Sequence, residues 1–120
     1  MTGVLILAHG SREKETEITL KMIVELTKEA LGMQMIETAT LKFSETDLKT
    51  GLLNLMDEGA TDIIVIPYFL FEGAHMKAGI PNEINKFSKE YPNVKITLGC
   101  TLGTDRRLSE IIADRVRALI

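Results

Sequence analysis

Short aliphatic and β-branched runs alternate along the chain with longer stretches whose apolar positions recur at helical spacing. The first run, Val4-Leu5-Ile6-Leu7-Ala8, is apolar throughout and stops at His9-Gly10-Ser11, the pattern of a parallel strand buried on both faces. From Ser11 to about Leu31, the residues Ile18, Met22, Leu26 and Ala30 recur every fourth position between Lys and Glu. That spacing predicts a helix that buries this stripe, with Gly32 placed to cap it. Met35 to Leu41 reads as a second strand with Ile36, Thr38 and Thr40 in alternation. Ser44 stands three residues before Asp47 in a capping-box pattern, ahead of a helix carrying Leu48, Leu52, Leu55 and Met56 and ending near Gly59.

Asp62-Ile63-Ile64-Val65-Ile66-Pro67 is the strongest strand pattern and predicts a central strand. A long loop from Tyr68 to Gly79 follows, of which Tyr68 and Phe69 continue the strand. Ile80-Pro81 opens a third helix, where a proline near the first turn loses no needed donor, with Ile84, Phe87 and Tyr91 in its stripe. Val94 to Leu98 reads as a fourth strand, and a last helix from about Asp105 carries Leu108, Ile112, Val116 and Leu119 on one face. The sum is an α/β chain: a small four-stranded parallel doubly wound sheet, flavodoxin-like, in one domain over residues 1–120. So thin a sheet leaves edges exposed, which favours a homodimer.

Composition narrows the function. Fourteen Lys and Arg against 17 Asp and Glu give a net charge of −3, which argues against a nucleic-acid binder working through a broad basic face. Met1-Thr2-Gly3-Val4 offers no basic lead-in to a cleavable apolar segment, and no run is long enough to span a bilayer. The single cysteine, Cys100, has no disulfide partner within the chain and reads as a buried filler. A cytoplasmic protein with no membrane partner is the expectation.

Open parallel sheets bind ligands at the carboxyl ends of their strands. The only two histidines, His9 and His75, fall in the loops after the first and third predicted strands. Each singly has an ordinary reading as a loop residue; together on one rim they form a candidate site if those strands are neighbours. Two imidazoles make a poor structural metal site, since such sites take about four protein ligands. They suit transient holding of a metal to which a substrate supplies the remaining donors, or proton transfer near neutral pH. Glu45, after the second strand, is the nearest acidic candidate, and its ordinary role is a solvated residue ahead of a helix. Gly10 beside a helix N-terminus offers N–H groups to an anion and Arg12 adds charge. Ser11 shares that turn, with a helix N-cap as its plainer role. No dinucleotide fingerprint, nucleotide-hydrolysing loop or Gly-x-Ser-x-Gly elbow is present. The apolar loop Tyr68-Phe69-Leu70-Phe71-Glu72-Gly73-Ala74-His75-Met76 is equally suited to lining a pocket for a flat ligand and to plain packing.

These residues resemble a known family. Val4 to Arg12 is similar to the opening of the small class II tetrapyrrole chelatases, of the short sirohydrochlorin cobaltochelatase type. Glu37-Thr38-Ala39-Thr40-Leu41-Lys42-Phe43-Ser44-Glu45, Ile64 to Phe71, Gly73 to Pro81 and Leu102 to Leu108 carry the resemblance over nearly the whole chain. It implies a chelatase-like half-unit that works as a homodimer and inserts a divalent metal into sirohydrochlorin without nucleotide hydrolysis, in cobalamin or related tetrapyrrole biosynthesis. The metal, Co²⁺ first and Ni²⁺ next, is then a substrate and no cofactor is permanently bound. The family's two metal-binding histidines match His9 and His75, and its acidic residue matches Glu45. Its macrocycle-contacting loop maps to Leu70, Phe71, Glu72, Gly73 and Ala74. Two positions depart from the pattern: Glu72 stands where a proline is usual, and Gly79 where an acidic residue is common before Ile-Pro. The alternatives are an iron chelatase for sirohaem and a non-catalytic tetrapyrrole or metal carrier.

Overall fold

The computed structural model describes the backbone of residues 1–120 and every side chain except those of His75 and Met76. Four strands, β1 (Thr2–Ala8), β2 (Ile36–Thr40), β3 (Asp62–Pro67) and β4 (Lys95–Leu98), form one parallel sheet in the order β2-β1-β3-β4. Helices α1 (Lys14–Leu31), α2 (Leu48–Asp57), α3 (Ile80–Glu90) and α4 (Arg106–Arg117) follow them in turn. The expected alternation and doubly wound order are both present. The step from β1 to β2 runs opposite to those that lead on to β3 and β4, so right-handed crossovers place α1 on one face and α2 and α3 on the other.

β1 shows why the apolar run is unbroken. Leu5 and Leu7 join Leu52, Leu55, Ile80, Ile84 and Phe87 of α2 and α3 in the larger core. Val4, Ile6 and Ala8 point the other way and pack with Ile36 and with Leu20 and Val24 of α1. A strand covered on both faces, with successive side chains on opposite sides, has no place for a polar residue. Gly51 lets α2 approach closely, since a Cβ there would stand 2.8 Å from Leu5 Cδ1.

The α1 side of the sheet is only half covered. Ile36, Val4, Ile64 and Thr97 lie in one register row across the four strands. The first two are buried, Ile64 is 36% exposed and Thr97 is exposed. The helix that follows β4 would be the natural cover, but α4 has no buried residue. The radius of gyration, 15.3 Å, exceeds the roughly 13.6 Å of a compact chain of this length, as a loosely attached α4 requires.

Three expectations need correcting. α1 buries Leu20 and Val24, whereas Ile18, Met22 and Leu26 are 58%, 62% and 59% exposed. The helix carries two apolar stripes, and the sheet takes the one that the four-residue repeat did not pick out. Second, α1 begins at Lys14, so Ser11 is not its N-cap and Gly10 does not adjoin the helix; the Ser11 hydroxyl accepts from Glu13 N–H at 3.1 Å instead. Third, Cys100 is exposed. Within the predicted loop, His75–Gly79 forms one turn of π-helix leading directly into α3. Among the described residues no helix is long and apolar enough to cross a membrane.

The N-cap of α2 is Asp47, whose carboxylate accepts from Thr50 N–H at 2.8 Å, while Ser44 serves the loop by accepting from Thr46 N–H. The Thr50 hydrogen bond holds the Asp47 carboxyl below its ordinary 3.8. A depressed folded-state pKa contributes stability that is present above the unfolded value and lost as pH falls through the folded one. Asp47→Ala is therefore expected to lower stability by about 1 kcal/mol at pH 7. Denaturant titrations of both proteins should show that gap closing below pH 4.

Candidate active site at the carboxyl rim

Backbone hydrogen bonds build the rim. Leu41 N–H donates to Ala8 C=O and Lys42 N–H to His9 C=O, each at 3.0 Å, so the β1–β2 ladder runs on past both strands. Gly10 turns the chain away at φ +91°, and any Cβ there would collide with the Lys42 carbonyl oxygen. Thr40 N–H donates to Thr46 C=O at 2.9 Å and closes the loop between β2 and α2. On the other side Tyr68 N–H donates to Leu7 C=O at 2.7 Å, and Leu102 N–H to Phe69 C=O at 2.8 Å. The loops after all four strands are thereby tied to one another.

His9 stands at the end of β1 and is exposed. Its ring rests on the buried Phe69 ring, with centroids 4.2 Å apart and planes at 32°. An imidazole with one face held and its edge open to solvent can ligate a metal or take a proton. β1 and β3 are neighbours, and His75 opens the π-turn beyond β3. The His75 side chain lies outside the described residues. Among those described, no three His, Cys, Asp or Glu side chains gather into a metal site.

The remaining rim residues divide into two groups. Gly10 and Ser11 line a cavity of about 440 Å³ that runs between the first turns of α1 and the β2 side of the sheet. Thr40, Lys42, Phe43, Ser44, Thr46 and Tyr68 also line it. The Thr40 hydroxyl is buried and has no hydrogen-bond partner among the described residues. Arg12 lies outside this lining; its guanidinium carbon sits 4.8 Å from the centroid of the Phe43 ring. Glu45 is exposed on the same loop and makes no hydrogen bond or ion pair among the described residues. Leu70, Phe71, Glu72, Gly73 and Ala74 are all exposed on the β3 side, Phe71 to 82%. A Cβ at Gly103 would strike the Leu70 carbonyl oxygen, so the loop after β4 packs directly beneath this segment.

Lys42, Phe43 and the Thr40 hydroxyl belong to this rim and were not singled out from the sequence. An aromatic residue between Lys42 and Ser44 in an otherwise polar loop was the available signal. The left-handed backbone of Phe43 (φ 62°) had none.

A thin parallel sheet with an exposed histidine after β1 and an exposed apolar loop after β3 defines an open α/β protein, a class whose ligand sites lie at the strand ends. The chain belongs to the CbiX family, whose model matches residues 3–119. A sirohydrochlorin ferrochelatase of Priestia megaterium is 33% identical over 97% of this chain and 44% of its own length. A sirohydrochlorin cobaltochelatase of Sulfurisphaera tokodaii is 28% identical over 100% of this chain and 95% of its own. The sirohydrochlorin chelatase SirB of Bacillus subtilis subspecies spizizenii, solved in complex with cobalt, superposes with a TM-score of 0.89 at 29% identity, covering 98% of this chain and 50% of that one. The chain spans about half the length, or less, of several of the curated relatives it matches.

Gly10 and Gly32 both have positive φ, but only at Gly10 does a Cβ meet backbone. Gly10→Ala is expected to cost about 1–3 kcal/mol, the usual cost of forcing in an atom that does not fit, beyond the left-handed strain it shares with Gly32→Ala. Urea denaturation of the two variants checks the order; equal losses would mean that the contact with Lys42 does not constrain the turn.

Proposed function

We propose that the chain inserts a divalent metal into sirohydrochlorin, with Co²⁺ the first choice and Ni²⁺ the next, as a cytoplasmic step of cobalamin or related tetrapyrrole biosynthesis. The observation that carries this reading is His9: exposed, backed by Phe69, and set at the end of a strand hydrogen-bonded on both sides. A rigid, open imidazole suits a metal that must arrive, be held briefly and leave within the product. In this reading His9 and His75 hold the ion while waters complete its shell. As ring nitrogens displace those waters, Glu45 takes one pyrrole proton, and His9 takes the other once the departing ion has freed its nitrogen lone pair. Leu70 and Phe71 offer apolar contact to the macrocycle together with Glu72, Gly73 and Ala74. Gly10, Ser11 and Arg12 face its carboxylates. Relatives that this chain matches over nearly their full length carry the cobaltochelatase name, which supports cobalt. Ferrochelatases among the longer relatives make an iron chelatase the alternative reading, behind Co²⁺ and Ni²⁺.

The working unit in this proposal is a homodimer. Ile18, Met22 and Leu26 on α1 and Ile111, Ile112 and Val116 on α4 are exposed, and Ile64 is open on the half-covered sheet face. Apolar stripes of this kind mark association surfaces. Two copies also make up the length of relatives that a single copy half covers.

The test of the activity is an anaerobic absorbance time course with sirohydrochlorin and Co²⁺, Ni²⁺ or Fe²⁺, each against a protein-free control. The parent should accelerate metallation, fastest with Co²⁺, and His9→Ala should lose about 10²–10⁴-fold, with a comparable loss for His75→Ala. No acceleration with any metal would overturn the chelatase; tetrapyrrole binding without metallation would leave a carrier. For the assembly, sedimentation at micromolar concentration should find the parent dimeric, and Met22→Glu with Ile112→Glu monomeric. A monomeric parent would overturn the dimer.

A further inference from the structure

Phe43 occupies a conformation that its residue type disfavours. Its φ of 62° lies in the left-handed region, where a bulky L side chain crowds its own backbone. Burial does not offset the strain, because the side chain is 55% exposed. The loop's own bonds, Thr40 N–H to Thr46 C=O and Thr46 N–H to the Ser44 hydroxyl, use no atom of the ring and would form equally with glycine. What the ring does contact is Arg12, whose guanidinium carbon lies 4.8 Å from its centroid. Arg12 is exposed and makes no hydrogen bond or ion pair among the described residues, so this cation–π contact is what restrains it.

We propose that Phe43 is a positioning residue: its left-handed backbone sets the ring against Arg12 and holds the guanidinium ready beside the His9 turn for a carboxylate of the ligand. Three facts converge on this. The strain is local to the rim, where strained backbone accompanies function. The loop bearing Phe43 is bonded through Lys42 N–H to the carbonyl of His9, so the backbones that carry ring and imidazole are tied together and the guanidinium joins them through the ring contact. A long cation ordered before binding loses less conformational entropy when its carboxylate arrives. The inference rests on the tetrapyrrole reading, in which the ligand's acid side arms supply that carboxylate.

The experiment compares Phe43→Tyr, Phe43→Leu, Phe43→Gly, Arg12→Gln and the Arg12→Gln/Phe43→Leu pair with the parent. Sirohydrochlorin is varied at saturating Co²⁺, and binding of metal-free sirohydrochlorin is followed by its fluorescence. Loss of an exposed cation–π contact should raise KM and Kd by about 2- to 5-fold in the Leu and Gly variants, with kcat changed by less than about 2-fold. Phe43→Tyr should match the parent. Phe43→Gly relieves the backbone strain, so it should melt no lower than Phe43→Leu while still binding weakly, which a merely structural role does not predict. In the Arg12→Gln background Phe43→Leu should add nothing. Parent-like KM and Kd in Phe43→Leu, or full additivity with Arg12→Gln, would overturn the positioning role alone. A parent that binds no sirohydrochlorin would overturn the tetrapyrrole reading and this inference with it; one that binds without metallating leaves Kd to decide.

Discussion

The hydrogen-bond ladder of β1 is the constraint on which the rim depends. β1 pairs with β2 on one side and β3 on the other, and its side chains are buried from Gly3 to Ala8. The ladder does not stop where the strand does, because Leu41 and Lys42 still donate to Ala8 and His9. His9 is thus the first residue beyond a fully packed strand and the last whose carbonyl the ladder holds. Its backbone has little freedom, while its side chain has open access. Gly10 completes the arrangement, since the turn that releases the chain from the ladder passes too close to the Lys42 carbonyl for any side chain.

The two faces of the sheet differ in a way that bears on assembly. α2 and α3 cover one face with a continuous core from Leu48 to Phe87. On the other, the α1 cluster covers β1 and β2 and reaches β3 at Ile66, and the row from Ile36 to Thr97 passes from buried to exposed along its length. Unburied apolar surface on β3, on α1 and on α4 within one small chain is costly in water. The proposed second copy would be the simplest cover, and it would account for the apolar outward stripe of Ile18, Met22 and Leu26 on α1.

That double stripe shows where the sequence was legible and where it was not. Element order, parallel topology and the β3 run from Asp62 to Pro67 follow from periodicity and turn residues, because each reflects a local rule. The α2 stripe of Leu48, Leu52 and Leu55 is buried as its spacing predicts. In α1, periodicity reports that an apolar stripe exists but not which neighbour it meets, so Ile18, Met22 and Leu26 were assigned to the sheet instead of Leu20 and Val24. The start of α1 was misplaced because Ser11 resembles an N-cap, whereas its hydroxyl closes a turn two residues ahead of that position. The rim positions of His9 and Glu45 follow from strand ends, whereas the bounds Leu70 to Ala74 come from the resemblance to the chelatases. The cavity beside Ser11 depends on how α1 meets the β2 loop, and the Arg12–Phe43 contact on a left-handed phenylalanine that no turn rule anticipates.

The two departures from the chelatase pattern can now be judged physically. Gly79 has φ −59° and ψ −55°, a conformation open to every L residue except where sterics intervene, so the backbone does not demand a glycine there. The carboxylate that the resemblance leads one to expect there is therefore not excluded by the backbone of residue 79. Glu72 is exposed on the flap, and the contact beneath that flap runs through Gly103 and the Leu70 carbonyl, not through residue 72. A proline there would restrict φ; glutamate leaves the segment freer and adds a negative charge. Both differences change the charge on the carboxyl rim while leaving intact the hydrogen bonds that hold His9. Within the proposed chelatase reading, these two positions would bear on metal or substrate preference and not on the backbone that carries His9.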